Sequence, residues 1–177
     1  NKFFNFFTPP PEWRYPVIFL LGIFIGLGIF VYYISNASSY LSSDPKTCIN
    51  CHVMFPQYAT WSKSSHARVA TCVDCHIPHD NVIRKYEFKM KDGMRHATIY
   101  TLHKEPQVIQ IKEDGQKVVQ ENCVRCHSKI LEETSLHGAT YEGAKLGNNK
   151  LCWECHREVP HGIVHSLSST PDARVPK

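Results

Sequence analysis

The 177-residue chain reads as a mainly α-helical protein with much irregular backbone: one N-terminal membrane-spanning helix, then a small domain without the side chains for a conventional core. Three observations predict this. Residues 17–34 (VIFLLGIFIGLGIFVYYI) carry no charge and come close to the roughly 20 apolar residues that cross a bilayer as a helix. The pattern C-x-x-C-H then occurs four times, at Cys48–His52, Cys72–His76, Cys123–His127 and Cys152–His156. Beyond the apolar run only roughly 35 residues surround each copy, too few for a large apolar interior.

C-x-x-C-H is the attachment signature of haem c. The two thiols add to the porphyrin vinyl groups, and the histidine that follows reaches the iron from the same side. Cys48, Cys51, Cys72, Cys75, Cys123, Cys126, Cys152 and Cys155 are all eight cysteines of the chain, so none is left over. Structural zinc uses paired C-x-x-C but does not require a histidine after each pair. Cysteines three apart are also poor structural disulfides. The composition therefore predicts a multihaem cytochrome c domain organised around four covalent haems, with the porphyrins as its core. Such haems are attached outside the bacterial cytoplasm, which places the domain on the periplasmic side of the inner membrane.

Taken in order, residues 1–46 form an N-terminal segment, a single transmembrane anchor and a linker, and residues 47–177 form the haem domain. Trp13 and Tyr15 before the apolar run, and Tyr32 and Tyr33 at its end, sit where an aromatic belt belongs. Lys2 and Arg14 against Glu12 give a weak positive-inside bias. Ser35-Asn36-Ala37 resembles a signal-peptide cleavage site, but the apolar run exceeds a usual signal core, so an uncleaved single-pass anchor is expected. The Ser-rich linker, residues 36–46, is short enough to hold the first haem at the membrane surface. Residues 57–70 are expected to be helical and carry His66.

Residues 81–100 read as a helix interrupted at Gly93, with Lys85, Lys89, Asp92 and His96 on one stripe and Val82, Tyr86 and Met90 on a neighbouring one. Such a helix fits lipid headgroups about as well as it fits a solvated face over haem. Residues 107–111 alternate like a strand, Glu113-Asp114-Gly115 signals a turn, and residues 118–133 form a helix through the third motif. Residues 139–150 read as loop, and residues 166–177 as an extended arm. A formal charge of +4 implies no strong electrostatic partner, and no basic, aromatic-interleaved surface for nucleic acid is present.

Of eleven histidines, His52, His76, His127 and His156 belong to motifs. His66, His79, His96, His103, His137, His161 and His165 remain for the opposite faces of the irons, since a haem that only passes electrons wants both axial positions filled. His66 and His161 are the best candidates because each is tethered close to a motif, and His137 is next. His79 and His103 read equally as surface or hydrogen-bonding residues. Met54, two positions after His52, either replaces it as the proximal ligand or packs against the ring.

One amino-terminal membrane helix followed by four such motifs resembles the NapC/NrfH family of membrane-anchored quinol dehydrogenases. The branch it resembles most is the small subunit of cytochrome c nitrite reductase. The resemblance rests on C-I-N-C-H-V-M at 48–54, Gln57-Tyr58-Ala59-Thr60-Trp61 with Ser65-His66, Lys85, Asp92-Gly93, and C-W-E-C-H-R-E-V-P-H-G at 152–162. It implies Met54 as a ligand of the first haem, and His66 and His161 as distal ligands of others beside the proximal His76, His127 and His156. It also implies Asp92 at the open face of haem 1 and Lys85 in a quinol pocket. Function would then be oxidation of a quinol, menaquinol, drawn from the membrane pool at haem 1. Electrons would pass to a periplasmic pentahaem nitrite reductase catalytic subunit, which could itself supply the last ligand of haem 4. The alternatives are a NapC-like donor serving periplasmic nitrate reductase or another acceptor, and a plain electron-transfer cytochrome without a quinol site.

With four complete motifs and no spare thiol, intact-mass measurement of the mature protein should exceed the polypeptide mass by about four haem groups, all resisting acid–acetone extraction. Bound zinc, or fewer haems after proper maturation, would sink that reading.

Overall fold

The computed structural model describes residues 9–106, 109–136 and 138–162. The chain parts into two compact units, Asn1–Ser42 and Ser43–Lys177.

In the first unit a 3-10 turn, Pro11–Trp13, runs into helix α1, Arg14–Ile34. Its 21 residues span about 31 Å at 1.5 Å per residue, the thickness of a hydrocarbon core. All of Pro11–Ile34 lies outside any protein interior, with Phe24 75% and Tyr33 82% exposed. A helix apolar on every side needs a lipid environment, because water would solvate none of that surface favourably. The helix stops where Asn36 takes a left-handed conformation (φ 50°), and a 3-10 turn, Ala37–Leu41, follows.

In the second unit the first haem motif occupies two successive 3-10 turns, Pro45–Asn50 and His52–Met54, the first capped by Asp44, which accepts from Lys46 N–H. Helix α2, Phe55–Trp61, follows. The expected helix over 57–70 is thus only its first turns. Beyond Trp61 the chain turns repeatedly, and the Trp61 indole N–H closes the loop on the Ala70 carbonyl at 3.1 Å. Helix α3, Cys72–His76, is the second motif itself, started by a capping box between Thr71 and Asp74.

Helix α4, Val82–Thr101, begins at Asn81, whose side chain accepts from Ile83 N–H at 2.7 Å. It runs straight through Gly93, against the expected interruption. One glycine costs a helix about 1 kcal/mol, and the Lys, Met and Arg residues around it outweigh that. Helix α5, Glu113–Leu131, starts earlier than expected and absorbs the Glu113-Asp114-Gly115 turn signal. Two carboxylates at its N-terminus suit the helix dipole, and Gly115 allows Ile111 to pack close, where a Cβ would stand 2.8 Å from the Ile111 side chain. Gln107 and Val108 of the strand-like stretch lie outside the described residues, and Ile109–Ile111 is not strand. Within the stretch read as loop, Thr140 caps a short helix α6, Tyr141–Lys145. Helix α7, Cys152–Cys155, is the fourth motif.

Helix α5 is the hub. Helix α3 packs on it, α6 packs on it, and α2 packs on the turns of the first motif. Ion pairs Lys145–Glu113 and Lys117–Glu142 fasten α6. Among the described residues the buried apolar side chains include only Ala59, Val118, Ala139 and Tyr141 beside the buried Pro78. That is the small side-chain core anticipated for a domain filled by porphyrin.

Because α1 is apolar all round, the full-length protein should stay with membranes through a high-salt wash and need detergent to leave. Release by salt alone would overturn the anchor. A version beginning after Ser42 behind a cleavable export signal should be soluble and still carry haem.

Candidate functional site

In three motifs the two cysteines and the histidine share continuous helix: α3 for the second, α5 for the third, and α7 with its next residue for the fourth, where His156 N–H still bonds the Cys152 carbonyl at 2.9 Å. Residues i, i+3 and i+4 of a helix lie on one face, so both thioether positions and the imidazole point the same way. The first motif differs. Cys51 is extended (φ −97°, ψ 108°), which ends one 3-10 turn and starts another and takes His52 off the line of Cys48 and Cys51. His52 Nδ1 lies 3.2 Å from the Tyr100 hydroxyl at the end of α4, with the rings edge-on at 5.7 Å. Met54 N–H bonds back to the Cys51 carbonyl at 2.9 Å.

Two pairs of imidazoles meet across the domain. The ring centres of His66 and His127 are 6.0 Å apart, and those of His76 and His161 are 6.2 Å apart. Two imidazole–metal bonds of about 2 Å each, plus about 1 Å from each ring centre to its nitrogen, put the centres about 6 Å apart with one metal between them. His127 and His76 belong to motifs; His66 and His161 come from the turn after α2 and from the chain after α7. The residues therefore fit haem.

The tautomers are set by the other ring nitrogens. His161 Nδ1 donates to the Gln57 carbonyl at 3.1 Å, with the Thr60 hydroxyl at 3.4 Å, and His66 Nδ1 donates to the Val159 carbonyl at 3.3 Å. Each leaves Nε2 as a free acceptor, the form a metal needs. Burial pushes the His76 imidazole down to about 4, with His161 adding to it, and burial also lowers His161. Gly162 (φ +63°) turns the chain against α2, where a Cβ would stand 3.0 Å from the Thr60 carbonyl. Only glycine takes that turn and that contact without strain.

The cysteines run as a chain of neighbours. Cys48 is within hydrogen-bonding reach of Cys72. Cys123 is similarly beside Cys152. Cys75 faces Cys126. The motifs thus follow one another in space in their sequence order.

Helix α4 turns its charged side inward. Lys85, Lys89 and Asp92 are half-buried, whereas Val82, Ile83, Tyr86, Met90 and Met94 are 50–76% exposed. Lys89 is near enough to Cys48 to feel its charge, and burial, then Lys85, lowers its ammonium. The Asp92 carboxylate lies in the field of His76. Arg95 grips its Oδ1 at 3.1 and 3.2 Å, and His96 Nδ1 stands 3.6 Å from Oδ2.

A model of the NapC/NirT cytochrome c family, N-terminal region, matches residues 11–168. The chain belongs to that family. The NapC/NirT chain is 51% identical over 153 residues to the cytochrome c-type protein NrfH of Wolinella succinogenes, covering 84% of this chain and 86% of that protein. It is 34% identical over 122 residues to the cytochrome c nitrite reductase subunit NrfH of Nitratidesulfovibrio vulgaris, covering 69% and 70%. Among solved structures, a chain in the crystal structure of the cytochrome c nitrite reductase NrfHA complex bound to the HQNO inhibitor matches with TM-score 0.63 and 28% identity. That match covers 89% of this chain and 99% of the other.

As a NapC/NirT cytochrome c the chain carries covalent haem c, and the four C-x-x-C-H motifs are the candidate attachment sites. His79 Nε2 is 3.1 Å from the Val73 carbonyl, a hydrogen-bonding role at α3, and His103 ends α4 with φ 50°. His137 and His165 lie outside the described residues. Sequence reasoning alone did not single out Lys89 as the lysine beside Cys48, Arg95 as the partner of Asp92, or Tyr100 as the partner of His52. The i, i+3 spacing of Asp92 and Arg95 was the available signal.

Replacing His66 or His161 by alanine should each convert one low-spin haem to a high-spin or water-ligated one in the absorption spectrum, leaving four haems attached. A wild-type spectrum in both variants would show that these imidazoles do not meet irons.

Proposed function

We propose that this chain oxidises menaquinol beside the first haem motif and passes the electrons to a periplasmic pentahaem cytochrome c nitrite reductase, which reduces nitrite to ammonium. On this reading it is anchored once in the bacterial inner membrane with the haem domain outside. Two lines support the acceptor. One relative at 34% identity is a cytochrome c nitrite reductase subunit, and the structural neighbour sits in an NrfHA complex. The complex that contains that neighbour is bound to the HQNO inhibitor.

The observation that carries the quinol reading is the inward charged face of α4. On it Lys89 lies near Cys48 of the first motif, with Lys85 beside it, and Asp92 lies near His76 of the second. A quinol releases two electrons and two protons, so its site needs a proton acceptor beside the redox group. When bound, the haems supply a series of one-electron acceptors. Asp92 takes a quinol hydroxyl proton, and its carboxylate is aimed by Arg95 while His96, on the adjacent oxygen, offers an onward path. Lys85 orients the quinol oxygen by donating to it. Met54 would hold the first haem iron in place of His52, whose ring is engaged by Tyr100. The opposite side of α4, with Val82, Ile83, Tyr86, Met90 and Met94 exposed, is the apolar face a quinol-loading helix presents to lipid.

Asp92→Asn keeps the size and removes the base. It should slow haem reduction by quinol by about 10²–10⁴-fold, whereas reduction by a small artificial donor that needs no proton acceptor should barely change. Equal loss with both donors, or no loss with quinol, would falsify the role of Asp92.

A further inference from the structure

We propose that Gln120 and Asn122 are positioning residues that set the spacing of the second and fourth haem motifs around the third. Both are neutral amides on α5 and both are buried, 1% and 5% exposed, in a domain that buries few side chains of any kind. Neither is a ligand, and neither touches the α4 face of the proposed quinol site.

Their partners are the motifs. Asn122 Nδ2 donates to the carbonyls of Cys75 and Ile77, each at 2.9 Å, the last peptide groups of the second motif. Asn122 Oδ1 in turn accepts from Arg125 Nε at 3.2 Å, and Arg125 reaches the Asp74 carbonyl at 3.4 Å. Gln120 Oε1 accepts from Cys152 N–H at 3.0 Å, the first residue of the fourth motif, while its Nε2 donates to the Ala139 carbonyl at 3.2 Å. Two residues apart on a helix means about 200° around its axis. The two amides therefore reach out from nearly opposite sides of α5. The third motif begins at the very next residue, Cys123.

A single rigid helix thus holds one attachment site and grips the backbone of its two neighbours. Short polar bridges to main-chain atoms of attachment cysteines transmit position directly to the porphyrin edges, which an apolar contact would do with more slack. The amide is the group this task needs: each side chain must both donate and accept, and a carboxylate would set an anion against the Cys75 and Ile77 carbonyls. The inference rests on the motifs carrying haem. It does not rest on the quinol site, so the Asp92→Asn result leaves it standing or falling on its own.

The test uses the full-length protein in detergent. Asn122→Leu and Gln120→Met keep approximate volume and remove the hydrogen bonds, whereas Gln120→Glu, neutral at so buried a position, keeps an acceptor for Cys152 N–H and an O–H donor for the Ala139 carbonyl. Intact mass first checks that four haems are attached. The magnetic interaction between neighbouring low-spin haems is then read by electron paramagnetic resonance, and redistribution of a single flash-injected electron is timed. Asn122→Leu should change the coupling of haems 2 and 3 only, Gln120→Met that of haems 3 and 4 only, and each should slow redistribution by about tenfold or more, the scale on which ångström misplacements act. Gln120→Glu should return the coupling to that of the wild type. Unchanged coupling in both apolar variants, or the same change at both haem pairs in each, overturns the proposal. If Gln120→Met cannot attach its haems, Gln120→Glu decides: wild-type coupling upholds the role and altered coupling overturns it.

Discussion

The rest of the haem domain depends on two closures, in each of which an imidazole of a C-x-x-C-H motif meets one from a distant part of the chain. His127 meets His66 and His76 meets His161 at separations that leave room for one metal. Each pairing ties together segments that have little apolar surface to hold them. The described core of the polypeptide is a handful of small or half-polar residues, so ligation and porphyrin contact must replace the packing that a domain of ordinary composition would use.

Hydrogen bonds supply the precision that such a thin core cannot. Backbone carbonyls of Gln57 and Val159 fix the orientation of the two distal imidazoles, and Trp61 closes the loop that carries His66. The third-motif helix does the same for its neighbours through Gln120 and Asn122. The segment after α7 is bound into this scheme twice, since Val159 holds His66 while His161 is held by α2. The two imidazole pairs therefore share the same stretch of main chain, which makes their environments mutually dependent.

Helix α4 departs from the usual amphipathic arrangement, with Lys85, Lys89, Asp92 and Arg95 half-buried while Val82, Ile83, Tyr86, Met90 and Met94 are exposed. Lysine and aspartate are costly against a domain interior unless they are paired, and Arg95 and His96 hold Asp92. An arrangement that costs stability and yet persists is expected where charge performs a task. On the proposed reading that task is moving protons beside a group that moves electrons.

The sequence by itself determined the apolar helix, the four C-x-x-C-H motifs and the mainly helical class, and it picked out His66 and His161 as candidate distal ligands. Each of these rests on local chemistry: an uncharged run long enough for a bilayer, thiols three apart with a histidine next, and a short tether. Local rules went astray where tertiary contacts outweigh propensity. Gly93 leaves α4 unbroken, Gly115 opens α5 instead of ending a turn because Ile111 packs on it, and the segment after Trp61 leaves the helix to carry His66 across to His127. Which imidazole faces which motif, which way α4 turns its charged stripe, and the departure of His52 from its motif's line were decided only by the tertiary structure. The physical reason is that these are relations between residues up to about a hundred positions apart, closed through metal-ligand geometry and buried hydrogen bonds that no local pattern encodes.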